Sequence, residues 1–341
     1  MASSAPPAST SPSPQRKSFN IGTRKSTLAL AQTDLVIEAL KTRYADCEFS
    51  VKSKDTAGDR DKLTALKDLT SKNLWTEELE QLLIAGHLDV IVHALKDVPT
   101  LLPSTCTLGG VLVREDPRDV LVVKPGLPYK SIAELPAGSV IGTSSIRRTA
   151  QLALRYPHLK VESVRGNIET RLAKLDAEDG PFQSIILGAA GLLRIGLGDR
   201  ITQYLDSKSA GFLYAVGQGA IGLEIRSDDE TVLEMINQAG HKETFLEVLA
   251  ERSLLRALEG GCSAPLGVES EWIKNSDATT KFRMRSIVVS IDGKQASQVE
   301  VDGTVDSPAT AEAFGLEVAK ELVAKGAGAI LDDIKQNKAT S

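Results

Sequence analysis

The sequence predicts an α/β protein: two α/β lobes around a cleft, with a small α+β domain toward the C-terminal end. Three observations predict it. Strand–turn–helix junctions recur along the first two thirds of the 341 residues, with arginine and hydroxyl side chains at their tips. The run 89–95 (DVIVHAL) is nearly all apolar, as a strand covered on both faces of a parallel sheet must be. Beyond residue 280 the pattern changes to two strand-like runs, 281–291 and 295–301, joined at Asp292-Gly293, a hairpin signal, with a helix over 309–324.

Composition narrows the function. Hydrophobic residues at 42% and charged residues at 25% are those of a globular chain, and the length suits two or three domains with sizeable cores. Aromatics at 4% leave few platforms for stacking single-stranded bases. A pI near 5.6 argues against duplex DNA. A compact acidic ligand fits better than a polyanion, and no nucleic-acid partner is expected. Cys47, Cys106 and Cys262 are odd in number and far apart, which suggests neither a disulfide framework nor a metal site, and points to a reducing compartment. No apolar run approaches the roughly 18 residues of a membrane span. Residues 1–16, rich in Ser, Pro and Ala without a signal core, read as a disordered tail, so the cytoplasm is the expected location.

Taken in order, 18–21 is a strand, 22–26 (GTRKS) a turn and 27–44 a helix, with Leu28, Ala31, Leu35 and Leu40 on its apolar side. Arg24 and Ser26 stand at that tip. The polar, charge-alternating stretch 54–73 is either a mobile lid or a surface insertion. An amphipathic helix over 74–85 ends at Gly86. The strand 89–95 then runs into Lys96-Asp97-Val98-Pro99. Ligands of open α/β sheets bind outside the carboxyl ends of strands, where Lys96 and Asp97 sit. A lone carboxylate there can hold a cationic intermediate or shuttle protons; it can equally make a loop salt bridge. His93, inside the strand, reads as structural. Residues 114–119 (REDPRD) form a charged crossing into a second lobe.

That lobe carries a positive island. The run 141–175 holds five arginines, two lysines and two glutamates, a local charge of +5 in a chain whose net charge is −5. Thr143, Ser144 and Ser145 are N-cap hydroxyls, so Arg147 and Arg148 fall in the first turn of a helix. Cations there oppose the helix dipole, which makes sense if an anion binds at that end. A second junction follows: strand 161–164, turn Arg165-Gly166-Asn167, and a helix carrying Arg171. Arginine forks suit carboxylates or phosphates; a solvated basic face is the plainer alternative. A strand over 184–187 leads to a glycine-rich helix opening with Arg194. The VGQGA stretch 216–220, containing Gln218, suits a return crossing. One α/β domain interrupting another gives a two-lobed cleft, as in periplasmic binding proteins. The expected division is 17–115 with 217–240, then 116–216, then 241–341. A helix over 242–259 ends in Gly260-Gly261-Cys262, where a thiol is either exposed or a buried structural one.

Eight motifs recur in one order: GTRKSTLALAQ (22–32), HALKDVP (93–99), REDPRD (114–119), GTSSIRR (142–148), RGNIETRL (165–172), AAGLLRIG (189–196), VGQGA (216–220) and EGGCSAP (259–265). Jointly they resemble the porphobilinogen deaminase (hydroxymethylbilane synthase) family over most of the chain. The resemblance implies a transferase that joins four porphobilinogen molecules onto a dipyrromethane cofactor, and a monomeric protein. It implies that Cys262 carries the cofactor by a thioether and that Asp97 is the catalytic carboxylate. Lys96 and Lys72 match family lysines facing the site. Arg24, Arg147, Arg148, Arg165, Arg171 and Arg194 become carboxylate binders, with Ser26, Thr143, Ser144, Ser145 and Gln218 adding polar contacts. The family pattern has serine where this chain has Ala94.

Overall fold

The structure, a computed structural model, describes residues 16–55, 76–258, 264–274 and 280–339. The expected tail, apart from Arg16, lies outside the described residues, as do Lys72, Cys262 and all of the lid but Lys54 and Asp55.

The first lobe is built on a five-stranded sheet. Its strands are β1 (Ser18–Arg24), β2 (Glu48–Lys54), β3 (Val90–Ala94), β4 (Cys106–Val111) and β10 (Ile221–Arg226), in the order β2-β1-β3-β10-β4. β1 runs parallel to β2 and β3, while β10 runs antiparallel to β3 and β4. Phe19, Ile21, Val90, Val92, Leu223 and Ile225 form its core with Val36 and Leu40 of α1 (Thr27–Arg43). On the sheet's other face, Ile91 packs with Leu79 and Leu83 of α2 (Glu77–Ile84).

The second lobe repeats this order with different strands. Its sheet runs β7 (Lys160–Glu162), β6 (Val140–Gly142), β8 (Ser184–Gly188), β5 (Asp119–Val123), β9 (Gln203–Leu205). Again three strands are parallel and the fourth is antiparallel. Both faces are covered, by α3 (Ile146–Arg155) with Phe212 on one side and by α4 (Ile168–Asp176) and α5 (Ala189–Arg194) on the other. Arg194 closes α5 rather than opening a helix, because Gly196, at φ +72°, ends the run just beyond it.

The C-terminal unit is α+β. α7 (Lys242–Ala257) and α8 (Pro308–Ala324) pack with α9 (Ala327–Ala339) against the antiparallel sheet β11 (Leu266–Lys274), β12 (Thr280–Val289), β13 (Ala296–Gly303). α6 (Glu230–Ala239) precedes it on the first lobe. The hairpin between β12 and β13 turns at Gly293, φ +73°, a left-handed conformation that glycine adopts without strain.

The two crossings between the lobes touch. Gly219 on the return path has φ +84°, and a Cβ there would stand 2.4 Å from the Glu115 carbonyl oxygen on the outward path. Only glycine fits a backbone approach this close.

Candidate active site

A cavity of about 460 Å³ lies between the lobes, lined by residues of both. From the first lobe come Arg24 at the end of β1, Ser26 as N-cap of α1, and Ala94, Lys96 and Asp97 at the end of β3. β3 stops at Ala94, and residues 95–97 form one 3-10 turn that lifts Lys96 and Asp97 toward the cavity. From the second lobe come Arg148, Arg165, Arg171 and Arg194; the return crossing adds Gln218. The lining holds seven cationic side chains (Arg24, Lys25, Lys96, Arg148, Arg165, Arg171, Arg194) against three carboxylates (Asp55, Asp97, Glu169), a net charge of +4.

Enclosure sets the electrostatics. Burial pushes the Arg171 guanidinium down to about 10, with Arg148 and Arg165 pushing the same way and Asp97 opposing. Arg171 is braced by a 2.7 Å hydrogen bond from Nε to the Gly166 carbonyl. Arg194 donates to the Gly219 carbonyl at 2.7 Å, while its buried Nε meets no acceptor among the described residues. Burial lowers its pKa against the pull of Glu115. Lys96 is lowered by desolvation between the two walls, with Asp97 opposing. By surface area Lys96 is exposed, so solvent offsets much of that effect. The Asp97 carboxylate is 39% exposed and lies 4.0 Å from Arg24 Nη1, a Coulombic rather than a hydrogen-bonding distance.

The hydroxyls and one arginine of the GTSSIRR motif do not line the cavity. Thr143 is buried, and its Oγ1 accepts from the Ser145 N–H at 3.3 Å. Ser144 Oγ donates to the Val164 carbonyl at 2.8 Å, stitching the two arginine-bearing turns together. Ser145 caps α3, accepting from the Arg148 N–H. Arg147 points inward: its Nη1 donates to Asp119 Oδ2 at 2.7 Å and to the Leu213 carbonyl at 2.6 Å. Arg148 shares the same partner, with Nε and Nη2 3.1 and 2.7 Å from Asp119 Oδ1. The anion expected at this helix end is therefore the protein's own Asp119. Arg148 reaches the cavity from that anchorage; Arg147 does not.

Asp119 is the residue that reading the sequence overlooked. It is 1% exposed and also receives Gln218 Nε2 at 2.9 Å. Burial alone would raise its pKa, but Arg147 and Arg148 outweigh that and hold the carboxyl well below the usual range. Gln218, buried, donates to the Pro117 carbonyl as well, so it ties the return crossing to the second lobe.

A cation-rich cleft between two α/β lobes, with the Asp97 carboxylate at the end of β3, has the charge and enclosure suited to a small polycarboxylate. The chain belongs to the porphobilinogen deaminase family: residues 19–234 match the profile described as "Porphobilinogen deaminase, dipyromethane cofactor binding domain", and residues 245–324 match "Porphobilinogen deaminase, C-terminal domain". Relatives named porphobilinogen deaminase bear this out. The chain is 47% identical over 337 residues to the one from Neurospora crassa, covering 96% of this chain and 97% of that one. The Yarrowia lipolytica protein is 49% identical over 319 residues (92% of each), and that of Saccharomyces cerevisiae 43% over 327 (94% and 98%).

Proposed function

We propose that Asp97 and Lys96 carry the chemistry of this porphobilinogen deaminase, between walls of arginine that hold carboxylates. The enzyme is a transferase of haem and tetrapyrrole biosynthesis: it deaminates four porphobilinogen molecules and joins them head to tail on a dipyrromethane cofactor. The product is the linear tetrapyrrole hydroxymethylbilane, released with ammonia.

The cavity fits that cofactor. Each of its two pyrroles carries an acetate and a propionate, so it brings four negative charges to a lining of +4. The unpartnered buried Nε of Arg194 marks a donor still in want of an acceptor. Arg148, Arg165, Arg171 and Arg194 would hold these carboxylates from the second lobe, with Arg24, Ser26 and Lys72 contacting cofactor or substrate from the first. Cys262 would be the attachment point. The cofactor, when bound, would supply the ring carbon to which the first substrate is joined, each later substrate joining the ring added before it.

Asp97 does the electrostatic work. Its carboxylate, partly open to the cavity, can accept the substrate's pyrrole N–H and stabilise the positive charge that develops on that ring as ammonia leaves. The same carboxylate is suited to take the proton lost when the new bond has formed. Lys96, on the same turn and with its pKa lowered by desolvation, can relay that proton, its ammonium giving one proton to solvent and the amine then taking the one from Asp97. Thr143, Ser144, Ser145 and Arg147 build and hold the second wall without touching the ligand, while Gln218, which lines the cavity, ties that wall to the return crossing. The remaining proposal is a three-part chain (17–115 with 217–240, 116–216, 241–341) acting as a cytoplasmic monomer, with no nucleic-acid or membrane partner. Two free, buried cysteines, Cys47 and Cys106, support a reducing compartment, and no helix among the described residues is long and apolar enough to cross a membrane.

The observation that carries the reading is the open Asp97 carboxylate facing a wall of cations. Asp97→Asn tests it: turnover is lost while intact-protein mass still shows the dipyrromethane adduct. Normal turnover in that variant removes Asp97 from the mechanism, and an adduct that survives Cys262→Ala removes Cys262 as its anchor.

A further inference from the structure

Arg252 lies on α7 of the C-terminal unit, yet its guanidinium reaches into the first lobe. It is 7% exposed, with Nη1 3.1 Å from the Val98 carbonyl oxygen and Nη2 2.6 Å from that of Pro99. Those two carbonyls follow Asp97 directly in the chain. The turn bearing Asp97 is thus clamped at both ends. Before it, the Leu95 N–H donates to the Ala220 carbonyl at 3.0 Å. Gly217 packs so tightly that a Cβ there would lie 3.1 Å from Leu95 Cγ and 3.3 Å from the Lys96 nitrogen. Gly217 is itself tied to α7, its N–H donating to Glu251 at 2.8 Å. After the turn, Val98 packs in one apolar cluster with Val248 of α7, and the polar hold described from that helix is the fork of Arg252. Arg24, at 4.0 Å, is too far to orient the Asp97 carboxylate by a hydrogen bond, so the carboxylate's place is set by its backbone.

We propose that Arg252 is a positioning residue for Asp97: by holding the Val98 and Pro99 carbonyls, it fixes the turn on which the carboxylate stands. The inference rests on the reading of Asp97 given above. A guanidinium fork is suited to this because its donors diverge in one plane and reach two oxygens at once. A lysine at the same place offers charge without the fork. The helix that carries Arg252 ends five residues before Cys262, so the element that leads into the proposed cofactor anchor also holds the proposed catalytic turn.

The test uses the holoenzyme with porphobilinogen, comparing Arg252→Gln and Arg252→Lys with the parent. For Arg252→Gln, kcat falls by about 10- to 100-fold while KM stays within about 2-fold, since a reacting group is misplaced and the carboxylate-binding wall is intact. Arg252→Lys recovers part of kcat. Independently of turnover, amide exchange of the peptide spanning 95–98 speeds up in Arg252→Gln while that of α7 does not. Unchanged kcat, or unchanged exchange at 95–98 in a folded variant, overturns the proposal. A rise in KM that matches the fall in kcat/KM overturns it too, by assigning Arg252 to binding. Failure of the Asp97 reading shows separately, as turnover retained in Asp97→Asn whatever Arg252 does.

Discussion

In the first lobe the carboxylate at the strand end, Asp97, stands open to the cleft with Arg24 4.0 Å away. In the second lobe Asp119 is sealed from solvent and receives Arg147, Arg148 and Gln218. The two sheets share one strand order, but the two acids stand at different strands of it, Asp97 after the third and Asp119 at the start of the fourth. Asp119 begins an antiparallel strand, paired with Gly188 at the carboxyl end of β8, and this places it behind the cleft wall. One carboxylate is left available for chemistry; the other is consumed in holding arginines still. A wall of cations cannot be built on a helix start unless something neutralises the ones that face inward, and Asp119 does so without occupying the cavity.

Exchanging the roles of the two acids breaks the comparison most sharply. Asp97→Asn lowers kcat by about 10³-fold, within the range for a lost acid–base group, and changes stability by less than about 0.5 kcal/mol; stopped assays and thermal unfolding report the two. Asp119→Asn does the reverse. It strands two buried guanidinium groups and costs about 3–5 kcal/mol in denaturant unfolding. The acid limb of the stability profile separates them further. Asp119 has a folded-state pKa below its unfolded value of about 3.9, so its contribution is fully present above that pH and is lost as pH falls toward the folded value. Parent stability therefore declines in acid below about pH 4, and Asp119→Asn flattens that decline.

A smaller effect belongs to the crossing the lobes share. Gly219→Ala places a methyl against the Glu115 carbonyl at positive φ and costs about 1–3 kcal/mol, measured as a lowered unfolding midpoint. The smallest sharpens the first lobe alone. Ala94→Ser adds a hydroxyl to the cavity lining, and KM for porphobilinogen falls by about 2- to 10-fold, the factor for a hydrogen bond of about 0.5–1.5 kcal/mol. An unchanged KM means the hydroxyl finds no ligand oxygen.

Much of this was legible before the structure, for reasons that can be traced. The helix expected over 27–44 is Thr27–Arg43, with Ser26 as its cap, a local signal, but its buried side runs through Ala29, Val36 and Leu40, and Leu35, expected there, is exposed. The hairpin at Asp292-Gly293 was equally local. The short strands β7 and β9 carry three residues each, too few for periodicity to define, and β7 sits one residue earlier than 161–164 suggests. At the site, the cations were visible but their commitments were not. Arg147 and Arg148 look alike in sequence, and only packing against a residue 28 and 29 positions earlier tells which one is spent inside. Asp119 itself passed as one more charge in REDPRD, since a single aspartate reads the same whether it ends up wet or buried. Arg252 has no signal at all, its partners being carbonyl oxygens more than 150 residues away.

The strand order also fixes a timetable for synthesis. The first lobe cannot close its sheet until β10 arrives, and β10 is made only after every strand of the second lobe. Once residue 205 has left the ribosome, a complete second sheet stands beside a first one split between β3 and β4. The lobe that bears Asp97 is thus born last although it is translated first. During that interval its open strand edges are the part of the nascent chain most exposed to mispairing and to chaperone capture.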